Sequence, residues 1–274
     1  MEPSNEETKV DLSWIIEKEN ELTSNAKQNL GDNYFLVVDL LEMLQGIKSF
    51  SRDNEVAHYF EAQIMKGFYL AVLNTIRRHA IEANLIVRHT LESIVLFVYS
   101  MEHKSESDYK IQRDSDQIVE FDDALLEKAN RFFEASLPYN SKWVEGYKHV
   151  LNAYYSHANV FTAQFNITEV EGRIKLLMFD NYWDNYIWQA LGIFNELICL
   201  TLDLYKVLQR KYESFFFHDW FESKFEECSM RQAKLKQDLV SKLKEENRVN
   251  FPIVEEIIEK LNEKYDKISG KNNE

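Results

Sequence analysis

Glycine and proline are the scarce residues of this chain, 7 and 3 among 274, where average usage gives roughly 19 and 14. Both punctuate turns, bulges and phosphate loops. No proline stands between Pro3 and Pro138 or between Pro138 and Pro252. Sandwiches, barrels and βαβ folds need a turn about every ten residues, so these classes are excluded and long helices remain. Neither a G-x-G-x-x-G nor a G-x-x-x-x-G-K-[ST] run occurs, which removes the common nucleotide-binding loops. Cysteine is equally sparse. Cys199 and Cys228 are too few and too isolated for a disulfide framework or a zinc site.

Positive charge is in deficit: 32 Lys and Arg stand against 46 Asp and Glu, for a net charge of −14. Such a surface repels nucleic acid and anionic membranes at long range. The most apolar stretch, Trp183 to Leu208, is interrupted by Asp184, Asn185, Gln189, Asn195, Glu196 and Asp203. An acidic residue near a helix centre costs about 2.5–3.5 kcal/mol on membrane insertion. The stretch therefore reads as a buried core helix, and no membrane association is expected. Residues 1–7 carry no basic or apolar targeting region, so a cytoplasmic location is expected. What the chain has in quantity is apolar material, 45% of residues with 14% aromatic, enough for a large core.

The pattern along the chain predicts an all-α multi-helix bundle. Leu12, Ile15, Ile16 and Leu22 mark a first helix that Gly31-Asp-Asn33 breaks; Phe35, Val38, Leu41 and Leu44 mark a second. Ser51 reads as the cap of a third helix over about 52–78. A fourth, over about 80–103, is apolar nearly all round from Leu85 to Tyr99, as a central helix should be. Residues 104–120 read as a loop or short exposed helix. Helical periodicity resumes from Phe121 to Ser136, and Pro138 opens a further helix reaching about Phe165. The β-branched residues around Glu171-Gly172 predict one small hairpin at about 166–180. The longest helix follows, from about Tyr182 to Glu213. From Ser223 the composition changes: eleven basic and eleven acidic residues balance, so residues 1–222 carry the whole net charge. Stripes of Leu235, Leu239 and Leu243, then Ile253, Ile257, Leu261, Tyr265 and Ile268, flank Pro252. Residues 1–222 thus read as the bundle domain and 223–274 as a C-terminal helical hairpin.

Polar groups inside apolar helices are the candidates for function. Arg88 and Glu92 stand at i, i+4 in Leu85-Ile-Val-Arg88-His-Thr-Leu-Glu92 and share one helix face, which the neighbours suggest is buried. They read as either a structural ion pair or a polar binding site in the bundle centre. In Asn152-Ala-Tyr-Tyr-Ser156-His157-Ala-Asn159, His157 lies among aromatics while Ser156 and Asn159 share a neighbouring face with Asn152. Adjacent helices would bring Arg88, Glu92 and His157 into one cluster. Glu55-x-x-His58 supplies half of a di-iron ligand set, but the second Glu-x-x-His is missing; no metal or cofactor is expected. The Phe215-Phe-Phe-His-Asp-Trp220-Phe221 run reads as the seam between body and tail or as a partner-binding surface.

The Arg88-x-x-x-Glu92 helix together with the later Ser156-His157 helix resembles a group of uncharacterised bacterial all-helical proteins, over about residues 60–205. That resemblance implies a bacterial protein linked to defence against phage or to stress. Arg52-Asp-Asn-Glu-Val-Ala-His58 is similar to the Arg-x4–6-His motif of HEPN ribonucleases. By that likeness His58 would move a proton and Arg52 would hold an RNA phosphate, without metal, and RNA would be a partner only in that case.

Three functions follow as expectations. The first is a sensor or scaffold acting through a protein partner or homo-oligomer. The second is a HEPN-like ribonuclease using Arg52 and His58. The third is a small-molecule-binding bundle using Arg88, Glu92, Ser156, His157 and Asn159.

Overall fold

Long helices with short connections account for nearly all of the described residues. The computed structural model describes residues 12–51, 54–112, 119–121, 124–154, 167–170, 173–177, 179 and 184–245. The first helix, α1 (Leu12–Met43), bends at Gly31, whose φ of 50° and ψ of −127° lie outside helical space. That φ is in the left-handed region that only glycine enters without strain. Beyond the bend, α1 buries Leu36, Val37, Leu40, Leu41 and Met43, while Phe35 and Val38 face outward. The expected stripe of Phe35, Val38, Leu41 and Leu44 is therefore rotated. This segment is apolar on several sides, and the neighbouring helices select the face that is covered.

A 3-10 turn (Leu44–Gly46) leads into strand β1 (Ile47–Phe50). The next helix, α2 (Glu55–Ile76), is capped by Asn54, whose side chain accepts from the backbone N–H of Ala57 at 3.2 Å. Ser51 is not the cap. Its N–H donates to the Ser214 carbonyl at 2.8 Å, which holds the chain extended up to that point. Residues 77–79 turn the chain into α3 (Ala80–Tyr99). So short a connection makes α2 and α3 antiparallel neighbours. They approach closely at Gly67, where a β-carbon would meet the Thr90 Oγ1 at 2.0 Å.

Residues 104–120 include a short 3-10 helix (Glu106–Tyr109), one of the two forms expected there, and then β2 (Lys110–Gln112), which was not expected and pairs antiparallel with β3 (Val119–Phe121). Helices α4 (Leu125–Ser136) and α5 (Pro138–Tyr154) are joined by Leu137 alone. The hairpin expected near 166–180 is present as β4 (Ile167–Val170) and β5 (Arg173–Leu176), with Ile167 opposite Leu176 and Val170 opposite Arg173. The chain then enters α6 (Asp184–Tyr212), strand β6 (Phe215–Phe217) and α7 (Phe221–Glu245). Strand β6 pairs antiparallel with β1, setting Phe50 opposite Phe215 and Ile47 opposite Phe217.

The result is an all-α bundle carrying small antiparallel strand pairs. Helix α1 packs on α6 and α7, α2 on α3 and α6, and α5 on α3 and α4. The core is aromatic and aliphatic: Leu36, Leu40, Ile64, Phe68, Phe97, Phe194 and Tyr205 are fully buried. Helix α7 covers the stretch expected to form the first arm of a C-terminal hairpin. It is tied to the body by ion pairs from Lys224 and Arg231 to Asp39 and from Lys236 to Glu196 at 2.8 Å. The second arm, with Pro252 and the stripe from Ile253 to Ile268, lies outside the described residues. Within the aromatic run, Phe215 and Phe221 are buried, whereas Phe216 and Trp220 are exposed. Among the described residues, no helix is long and apolar enough to cross a membrane.

Candidate ligand-binding cleft

Helix α3 presents Arg88, His89 and Glu92 along one side because residues three and four apart share a helix face. Arg88 Nε lies 3.7 Å from Glu92 Oε1, and His89 Nδ1 lies 3.9 Å from Glu92 Oε2. The pair forms as expected, but not in an enclosed interior. The Arg88 side chain is 39% exposed and that of Glu92 25%. Leu85 and His89 are also exposed on this helix, so the central helix does have a partly solvated face. An apolar sequence all round sets a capacity for burial; it does not supply a neighbour on every side.

Helix α5 packs against α3 and adds a cation to this pair. Its buried stripe, Trp143, Val144, Tyr147 and Leu151, follows helical spacing, and Lys148 sits at its margin. Burial lowers the pKa of the Lys148 ammonium; Glu92 opposes that, Arg88 reinforces it, and Glu145 opposes it. Among the described residues no carboxylate comes within 4.0 Å of Lys148. An ammonium taken partly out of water with no close counter-ion is a costly arrangement unless another group completes it.

Lys148 also lines a cleft of about 430 Å³ between α4 and α5. From α4 come Glu127, Asn130, Arg131 and Glu134; from α5 come Ser141, Glu145, His149 and Asn152 beside Lys148. Phe133 of α4 adds an apolar floor to these polar walls, while Leu125 and Ala129 are buried in the core. Arg131 Nη1 pairs with Glu127 Oε1 at 3.0 Å within α4.

Of the remaining sequence candidates, Arg52, Ser156, His157 and Asn159 lie outside the described residues. His58 is exposed on α2, its ring against Phe50 with centroids 4.1 Å apart. Phe50 in turn packs on Phe97 and Phe215. His58 is not among the residues lining the cleft. No group of three or more His, Cys, Asp or Glu able to hold a metal ion occurs among the described residues.

Two polar residues that sequence reading passed over lie in the core. Glu61 of α2 is 7% exposed, and burial pushes its carboxyl up to about 7. The Tyr205 hydroxyl of α6 is fully buried without a hydrogen-bond partner, and its pKa is raised by burial and then by Glu61. The signal for Glu61 was present: it shares the helical stripe of Ala57, Ile64 and Phe68, all buried. The signal for Lys148 was weaker, a lysine at the edge of an apolar stripe. Cys199 and Cys228 are free; burial raises both thiols, Cys228 to about 11. That is the direction expected of packed, unreactive thiols.

Comparison of the chain with protein-family models, with curated proteins and with solved structures finds no match.

Proposed function

We propose that this protein is a helical binding protein that takes up a small polar molecule in the α4–α5 cleft and acts as a sensor. The observation that carries this reading is the placement of Lys148. It is a half-buried ammonium with no carboxylate within 4.0 Å among the described residues, on the wall of a cleft whose volume lies in the small-molecule range of roughly 300–1,000 Å³. The test is a screen of small polar molecules by ligand-observed NMR against the full chain and against Ser141→Trp, which places a bulky ring in the cleft. Binders lost in Ser141→Trp support the reading; binding that is the same in both chains removes it.

A sensor also needs a partner to inform, and the interaction role has an observation of its own. Phe216 and Trp220 remain 54% and 39% exposed beside the β1–β6 pair, where Trp220 stacks on His218 and lies under Lys224. Light scattering and pull-down with the wild type and Phe216→Ser test this, and a permanently solitary chain in both counts against it. The likeness to bacterial helical proteins supports a setting in phage defence or stress. The ribonuclease alternative rests on Arg52 and His58, and expects metal-independent RNA cleavage that His58→Ala abolishes.

A further inference from the structure

We infer that the α4–α5 cleft takes a small zwitterion of the amino-acid class, which presents a carboxylate to Lys148 and an ammonium group to Glu134 and Glu145. This rests on the reading of the cleft as the ligand site and names its chemistry.

Charges of both signs are left over on the cleft wall. Arg131 and Glu127 satisfy each other at 3.0 Å. Lys148, Glu134 and Glu145 line the same cleft, and none of the three has an oppositely charged side chain within 4.0 Å among the described residues. Lys148 is the partly buried member of the set, while Glu134 and Glu145 are exposed at the rim. A single ligand that neutralises both signs needs at least one anionic and one cationic group. The desolvated ammonium sets the position of the anionic one, because a charge-assisted hydrogen bond gains most where water is partly excluded.

Lys148 is also crowded by a like charge. Arg88 stands near enough to act on it, and Arg88 Nε is buried without a hydrogen-bond partner, its contact with Glu92 at 3.7 Å being too long for one. Two cations share the Glu92 carboxylate on that side, so an incoming carboxylate relieves the excess. The whole-molecule field decides between classes of anion. A net charge of −14 opposes the approach of nucleotides and other polyanions, but not that of an amino acid whose net charge is zero or positive. Asn130, Ser141 and Asn152 add neutral hydrogen-bonding groups suited to a small polar body.

Isothermal titration calorimetry of the full chain with three probes tests this. L-lysine has both groups, cadaverine is the same chain without the carboxylate, and glutarate has carboxylates without an amine. L-lysine is expected to bind tightest. Lys148→Met, which keeps the packing of the stem, is expected to weaken L-lysine at least tenfold and cadaverine less than twofold. Glu134→Gln with Glu145→Gln is expected to weaken both amines. Glutarate binding as tightly as L-lysine, an unchanged L-lysine affinity in Lys148→Met, or no binding of any of the three overturns the zwitterion. If other small molecules then bind in a manner that Ser141→Trp abolishes, the ligand-site reading survives that result; if Ser141→Trp changes nothing, both fall.

Discussion

The side-chain amide of Asn195 donates to the Asn33 side-chain oxygen at 3.2 Å, joining α6 to α1 where both residues are at most 1% exposed. The Asn33 amide donates in turn to the Trp188 carbonyl at 3.4 Å. Apolar contacts are non-directional, so this polar link fixes how the two helices slide against each other. Asn195→Leu leaves the Asn33 oxygen without its donor in the core and is expected to cost about 1–3 kcal/mol in urea unfolding. Asn33→Leu combined with Asn195→Leu is expected to cost less than the sum of the two single changes. A double variant worse than that sum would refute the link.

Gly67 and Thr90 set the spacing of α2 and α3. Gly67→Ala gains helix propensity of about 1 kcal/mol, but its methyl meets the Thr90 hydroxyl at a distance no real contact shows. Overpacking of this kind costs about 1–3 kcal/mol, so the net change is expected to be destabilising. Adding Thr90→Ala removes the obstacle. Thermal unfolding of the four chains should show favourable coupling between the two changes.

Glu61 makes stability depend on pH. Its folded pKa, about 7, exceeds the ordinary value of 4.5, so between those values the folded chain holds more protons than the unfolded one. The stability it confers is complete below about 4.5 and is lost as pH rises through 7. Glu61→Gln stays neutral throughout. Relative to the wild type it is expected to gain about 1–3 kcal/mol between pH 5 and pH 8, after allowance for partial solvation. Equal pH profiles in denaturant titrations would show that Glu61 is charged and satisfied in the folded state.

Arg88 and Glu92 are partly exposed, so Glu92→Gln is expected to cost less than about 1 kcal/mol and not the several that a sealed pair would. The same change leaves Lys148 facing Arg88 without the opposing carboxylate. The Lys148 amine pKa is then expected to fall further, as read by an NMR titration of its side-chain nitrogen. No change at Lys148 would separate it from the α3 pair.

Cys199 and Cys228 are expected to react slowly with iodoacetamide at pH 8 in the folded chain and rapidly in denaturant. Burial raises both thiols, and only the thiolate is nucleophilic. Fast alkylation of the native chain would contradict the packing of α7 on α6.

Much of this organisation was legible without coordinates, because it follows from local chemistry. The break at Gly31, the start at Pro138 and the β4–β5 hairpin each follow from what those residues permit the backbone to do, and helical spacing marked Arg88 and Glu92 as partners. Ser51 shows the limit even locally. It is a good cap by composition, yet the strand contact to Ser214 displaces the helix start to Asn54.

The amino-acid sequence by itself determined the class of the fold, since a chain so poor in glycine and proline and so rich in apolar helical stripes has few ways to bury its core. Only the tertiary structure decided which faces are covered. It turned Phe35 and Val38 outward, paired β1 with the distant β6, enclosed Glu61, and laid α5 beside α3 so that Lys148 feels the charges of Arg88 and Glu92 next to a cleft. Periodicity records which side of a helix is apolar. Which neighbour arrives there, and which polar group it strands without a partner, depends on packing between segments far apart in the chain.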